Sequence, residues 1–391
     1  MIPLEEAQER LLALATPLET EMAGIHEAAG RYLASDILAK RTQPAKDLSA
    51  MDGYAVAHAT FPGPWQVTGE AAAGSSFNEN VAADSAARIF TGAPLPGGTD
   101  SILIQENAKA DDGKLTPLAD VTLEKGQHVR RAGSDFCLGD KIIEAGAKLN
   151  AAHIGLATLA GLAEIPVHRK PRIAILSTGD ELVPPGQVIG EDQIPASNGV
   201  MLAAMLQNLP CEIVENRIVP DDLEQMKAAF KEAKADIIIT IGGASVGDHD
   251  LVRPALDAVG AELDFWKVAM RPGKPVTAGK LADAVVLGLP GNPVSAYVTA
   301  FLFLMPMLRQ MSGSKSPFPL KHTAKLEQSL PANGPRANFI RALVRGDSIA
   351  PLPSRDSAIL TALSAANALI YRPISAAKAE AGNFAEYFAL G

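Results

Sequence analysis

Four loops in the middle of this 391-residue chain carry residue types suited to phosphate or another oxyanion. Gly242-Gly-Ala-Ser-Val-Gly-Asp-His-Asp250 follows an aliphatic run and precedes an amphipathic segment. Glycines let the backbone approach a ligand closely, and the free N–H groups of a following helix start suit an anion. Gly242, Gly243 and Ser245 would supply that cradle, while Asp248 and Asp250 offer the hard oxygen atoms that magnesium prefers. A tight turn with Asp250 as a helix N-cap explains the same residues equally well. Thr178-Gly-Asp-Glu-Leu182 brings Asp180 and Glu181 to the end of another apolar run. Alone it reads as an acidic cap; two acid-bearing loops at neighbouring strand ends begin to describe a metal-assisted site. Asp221 and Asp222 follow Pro220, and as helix N-caps they read at least as well as they do as catalytic acids.

The other two loops have a different character. Met270-Arg-Pro-Gly-Lys-Pro275 holds Arg271 and Lys274 on a proline-stiffened turn that suits a tetrahedral oxyanion or a phosphate. Gly288-Leu-Pro-Gly-Asn-Pro-Val-Ser295 leads from a strand-like run into a helical one. Pro293 stands at the first helical position, and the exposed N–H groups of this helix start face a potential anion, which makes Pro290, Gly291, Asn292, Pro293 and Ser295 binding candidates. Further back, Ser49-Ala-Met-Asp-Gly-Tyr-Ala55 and Phe90-Thr-Gly-Ala-Pro-Leu-Pro96 are turn-rich, and composition alone makes Asp52 and Thr91 ordinary turn residues.

Elements must hold these loops in place. Strand-like runs begin at Arg172, Cys211, Asp236, Glu262 and Ala284, with helical runs at 197–208, 222–234, 249–259 and 293–311. This α/β alternation predicts a parallel sheet covered on both faces, with ligands beyond the carboxyl ends of its strands. The expected organisation is α/β multidomain: an elongated N-terminal body (1–41 and 126–168), an inserted β-rich lobe (42–125), the central α/β domain (169–317) and a C-terminal β-barrel or sandwich (318–391). Residues 3–15 have the apolar spacing of an amphipathic helix within the N-terminal body.

Composition limits the function classes. A formal net charge of −9 argues against bulk attraction to nucleic acid or an anionic membrane. Cys137 and Cys211 are far apart with no CxxC spacing, so they read as small buried hydrophobes of a reduced chain rather than a disulfide or zinc site. The opening Met-Ile-Pro-Leu-Glu-Glu-Ala-Gln is acidic and lacks a signal-peptide pattern, and residues 294–308 look too short to span a bilayer. A soluble cytoplasmic protein is expected.

Taken in order, SAMDGYAV, FTGAPLP, STGDEL, SNGVML, IGGASVGDHD, MRPGKP and GLPGNPVS resemble the signature loops of the MoeA family, the molybdopterin molybdenumtransferases, whose animal relative is the E domain of gephyrin. The resemblance implies an elongated homodimer whose central domain also occurs in MogA-type pterin-adenylylating enzymes. It implies a site between that domain of one subunit and the inserted lobe of the other. The implied substrates are molybdate and an adenylylated dithiolene pterin, with release of AMP.

The same resemblance suggests roles. Glu181, Asp222 and Asp250 would hold Mg2+, with Asp52 and Thr91 closing the site. Asn198 would position pterin or nucleotide. Arg271 and Lys274 would bind molybdate with Arg336 or Arg341 and Ser357. The chain departs from the family pattern at Arg271, usually lysine, at Ala244, usually valine, and at Asp356, usually glycine. A MogA-type adenylyltransferase is the implied partner, and MogA-type adenylyl transfer or a non-catalytic dimeric pterin carrier are the competing functions.

Overall fold

Aliphatic, β-branched runs build the centre of the molecule. In the computed structural model, which describes residues 1–75, 77, 79–243, 251–354 and 356–390, they form a six-stranded sheet. Its strands are β1 (Arg172–Thr178), β2 (Glu212–Val219), β3 (Ile237–Ile241), β4 (Glu262–Lys267), β5 (Pro275–Leu281) and β6 (Ala284–Leu289), in the order β2-β1-β3-β6-β5-β4. Every residue of β3 and β6 is buried, as strands covered on both faces must be. Strands β2, β1, β3 and β6 run parallel.

The sheet is not wholly parallel, because β5 runs antiparallel to both β6 and β4. Leu281 pairs with Ala284, and Ala282 takes φ 51° in the tight turn between them, folding β5 back on β6. Pro275 and Gly279 had hidden this strand from the sequence reading.

One face of the sheet packs on helix Ser197–Leu206, on the helical run Pro293–Met311 and on the first helix, Leu4–Leu14. The expected stripe of that first helix is present: Leu4, Ala7 and Leu11 are buried. It contacts strand β5 and the helical run Pro293–Met311, so by packing it joins the core of the α/β domain. The other face is covered by helices Leu223–Glu232 and Val252–Ala258 through Met226, Phe230, Val252 and Leu256.

The run Pro293–Met311 is long and apolar enough to cross a membrane by length and composition, which corrects the expectation drawn from its shortness. It is 78% buried inside the fold and serves as a core helix. Its middle turn, Ala300–Leu304, is π-helical. Pro306 has no N–H for the carbonyl four residues back, that of Leu302. Gln8 Nε2 of the first helix donates to that carbonyl at 2.8 Å.

The N-terminal body consists of short antiparallel pairs, Thr20–Gly24 with Glu164–His168 and Ile37–Leu38 with Lys141–Ile143, around its own apolar cluster. A third pair, Leu48–Ser49 with Val129–Arg130, brings together the two ends of a separate six-stranded sheet formed by residues 53–117. Arg169 ties body to central domain: it donates to both carboxylate oxygens of Asp236 at 2.7 Å and to Glu19 at 2.7 Å.

At the C-terminus, β7 (Lys321–Leu326), β8 (Ala337–Arg345), β9 (Ser348–Pro351), β10 (Ala368–Arg372) and β11 (Phe384–Ala389) close a barrel, order β8-β9-β7-β11-β10 with β10 returning to β8. Met270–Arg271 adds to β8 as a parallel edge, Met270 opposite Ala337 and Arg271 opposite Asn338. Phe301 of the core helix meets Phe388 of β11 edge-on at 6.0 Å, so barrel and α/β domain share apolar contact. Of the cysteines, Cys211 is half-buried and its thiol is pushed up to about 11 by burial. Cys137 is exposed, against the expectation that both are buried.

Candidate active site

The carboxyl ends of β1, β3 and β6 open into one cleft of ≈ 940 Å³. Its floor is backbone. Gly242 has φ 95°, and a Cβ there would stand 2.6 Å from the Thr178 carbonyl oxygen. A Cβ on Gly291 would lie 3.6 Å from Gly242 Cα, so the loops after β3 and β6 pack main chain against main chain. Gly243 and Pro290, Asn292 and Pro293 complete this surface.

The start of helix Ser197–Leu206 forms one wall. Asn198 Nδ2 donates to the Gly291 carbonyl at 2.6 Å, which turns its Oδ1 away; that oxygen is buried with no hydrogen-bond partner among the described residues. A buried acceptor left unpaired costs about 1–3 kcal/mol, which a ligand donor would recover. Asn216 steadies this wall by donating to the Gly199 carbonyl at 3.2 Å.

Acids line the opposite side. Glu181 is part of the cleft, its carboxylate folded toward Gly179, where any Cβ would collide with it. Asp222 is not part of it: its carboxylate caps helix Leu223–Glu232 by accepting from Gln225 N at 2.8 Å. Asp221 is the neighbour that lines the cleft, its N–H bound to Asp180 Oδ1 at 3.0 Å. The structure thus places Asp222 at the helix cap and Asp221 in the lining of the cleft. Ser245, Asp248 and Asp250 lie outside the described residues. Among the described residues no group of three potential metal ligands converges; Glu181 and Asp221 are the acids at hand.

A second, small pocket opens where the α/β domain meets the barrel, lined by Arg271, Pro272, Val294, Asn338, Arg341, Ser354 and Ser357. It gathers three residues expected at an anion site. Arg271 is exposed there. Arg341 is only 5% exposed, and its guanidinium donates to the carbonyls of Ile359, Ser354 and Asp356 at 3.0, 2.6 and 2.9 Å. Asp356 accepts the Ala358 N–H at 2.9 Å, and its charge opposes the burial that lowers Arg341's pKa. The Ser357 carbonyl accepts the Val294 N–H at 3.1 Å. That first-turn N–H is therefore taken by protein and is not available to an anion.

Lys274 is exposed, Arg336 half-buried, and neither lines the two pockets; Ser295 is buried in its helix.

Asp52 and Thr91 meet in the 53–117 lobe and stand apart from both pockets. Asp52 Oδ1 accepts from Thr91 N at 2.7 Å and Thr91 Oγ1 at 2.8 Å. These bonds, and the charge of Arg88, hold the Asp52 carboxyl below its usual range. Arg88 lies over the rings of Tyr54 and Phe90, at 5.0 and 4.9 Å, and donates to the Gly53 carbonyl at 3.0 Å. The pairing of Asp52 with Thr91 was legible only through resemblance; Asp221 was read together with Asp222 as either cap or acid, and Arg88 carried no spacing signal.

Three family models match successive parts of the chain: MoeA N-terminal region (domain I and II) over residues 2–161, probable molybdopterin binding domain over 174–310, and MoeA C-terminal region (domain IV) over 323–390. A molybdopterin molybdenumtransferase of Haemophilus influenzae is 37% identical over 320 residues, covering 81% of this chain and 79% of the relative. One from Bacillus subtilis is 32% identical over 387 residues, covering 95% and 90%. A crystal structure of a molybdopterin biosynthesis MoeA protein from Pyrococcus horikoshii OT3 superposes with TM-score 0.85 at 26% identity, covering 100% of both chains.

Proposed function

The chain belongs to the MoeA family, and on that footing we propose that it transfers molybdenum from molybdate into adenylylated molybdopterin with release of AMP. The observation that carries this reading is the adjacency of two pockets across Pro293 and Val294: a wide cleft with a glycine backbone floor and acids, and a small one with an exposed guanidinium. The first suits a phosphate-linked pterin nucleotide and the second a tetrahedral oxyanion.

In this account Gly242, Gly243 and the 290–293 loop receive the phosphate of the adenylate, and Asn198 offers its unpaired Oδ1 to a donor on the ligand. Arg271 and Ser357 receive molybdate, with Lys274 and Arg336 contributing positive field from nearby surface. The residues present fit Mg2+: Glu181 and Asp221 supply carboxylate oxygen beside the phosphate floor, and this ion takes one or two carboxylates together with substrate phosphates. Asp250 is the third ligand proposed. When bound, the ion neutralises charge on the phosphate. The protein supplies orientation and charge, and no side-chain nucleophile is needed, since water or a molybdate oxygen can attack phosphorus.

Asp52 and Thr91 do not line the cleft of their own chain among the described residues, which favours a homodimer in which the lobe of one subunit closes the cleft of the other. A cytoplasmic setting and delivery of the adenylate by a MogA-type adenylyltransferase complete the proposal. The test is product analysis. Adenylylated molybdopterin with molybdate and magnesium should yield AMP, and molybdopterin with ATP should yield no pyrophosphate; pyrophosphate without AMP would instead mean adenylyl transfer.

A further inference from the structure

Arg341 stands in the small pocket, where its charge invites the role of anion ligand, yet its hydrogen bonds point elsewhere. Its guanidinium nitrogens Nη1 and Nη2 are committed to three main-chain carbonyls, those of Ser354, Asp356 and Ile359. The side chain is almost fully buried, and the turn it grips is further tied by the Asp356 carboxylate to Ala358 N. That turn carries Ser357, which lines the pocket and whose carbonyl accepts the Val294 N–H. Val294 in turn stands in the first turn of the helix Pro293–Thr299, directly after the cleft-lining residues Pro290 to Pro293.

We propose that Arg341 is a positioning residue, a clasp from barrel strand β8 that fixes the Ser357 turn against the Val294 helix start and so shapes the oxyanion pocket without being its ligand. The planar fork of a guanidinium can reach several carbonyls at once, whereas a lysine ammonium is a single point on a flexible stem. With Nη1 and Nη2 given to main-chain carbonyls, the guanidinium has few donors left to face an anion. Arg271, exposed at the same pocket, keeps that role. The inference rests on the reading of this pocket as the molybdate site, but the clasp itself has a readout that needs no activity.

The experiment uses the full-length protein, wild type and the variants R341K, R341M and R271M, with R341Q in reserve should R341M not fold. Hydrogen exchange is followed by mass spectrometry in peptides spanning 352–360 and 292–300, and AMP release is titrated with molybdate and with the adenylate. R341K and R341M should both speed exchange in both peptides. They should raise the molybdate KM about tenfold or more, as expected for a pocket displaced by a fraction of an ångström, and leave the adenylate KM within about twofold. R271M should raise the molybdate KM with exchange unchanged, which separates ligand from clasp. An R341K enzyme with wild-type exchange and molybdate KM overturns the proposal, and so does faster exchange in an active enzyme whose molybdate KM has not moved. If wild type releases no AMP, the functional reading fails, and the clasp is then judged by exchange alone: unchanged exchange in R341M overturns it.

Discussion

Asp221 and Asp222 are chemically identical neighbours, and the fold gives them opposite tasks. Asp222 satisfies the amide of Gln225 at a helix start, worth about 1 kcal/mol to the folded state. Asp221 lines the cleft beside Glu181's loop. Asp222→Ala should therefore lower the melting temperature and largely retain AMP release, while Asp221→Ala should lower activity on the order of a hundredfold, as loss of a charge-stabilising group does. Melting curves and turnover on the two variants check this, and the reverse pattern would return the role to Asp222. The sequence does not separate the two acids, because both follow Pro220 and either can cap; only the register of the helix start decides. The exposed site of Cys137 was equally illegible, since residue type says little about which side of a loop faces water. Glu181, Gly242 and Arg271 do line the two pockets, and each sits in a loop whose residue types had marked it as a candidate.

At the scale of elements, aliphatic runs such as Ile237–Ile241 declare buried strands on their own. Pro275–Leu281 does not, because Pro275, Gly279 and Lys280 break the pattern, and only its hairpin with β6 makes it a strand. The first helix was legible as a helix but not in its destination: an apolar stripe does not say which core it covers. Its Gln8 makes a testable contribution. Gln8→Leu leaves the Leu302 carbonyl unserved above Pro306 and should cost about 1–3 kcal/mol in chemical denaturation. No change would mean that the carbonyl finds water.

The joint between body and central domain makes a pH prediction. Burial tends to raise the Asp236 carboxyl, but the two Arg169 bonds and the Arg172 amide outweigh it and hold the group below its usual range. A carboxyl lowered by folding stabilises above its unfolded value, and that contribution disappears as pH falls through the folded one. The stability gap between wild type and Asp236→Asn should be full near neutrality and narrow below about pH 4. A gap independent of pH would remove the ion pair from the account.

For the whole molecule, the order of loops along the chain made the architecture legible, and the closed barrel and the inserted sheet fall where turn-rich stretches suggested. How subunits assemble is not written in any single run of residues. The separation of Asp52 and Thr91 from the cleft makes the assembly testable by mixing subunits. Asp52→Ala and Glu181→Gln should each be inactive as homodimers. Re-equilibrated together in equal amounts, they should regain about a quarter of wild-type activity, since half the dimers are mixed and each holds one intact site. A mixture as inactive as its parents would confine the site to one subunit.

The central claim, that molybdate enters the pterin as AMP leaves, is tested most directly by following both products in one time course. Adenylylated molybdopterin, molybdate and magnesium are mixed with wild type or Glu181→Gln, and AMP and dithiolene-bound molybdenum are quantified from the same samples. The account predicts that the two rise in step with wild type and that both fail with the variant. AMP released without molybdenum incorporation, or no release from folded wild type, would contradict it.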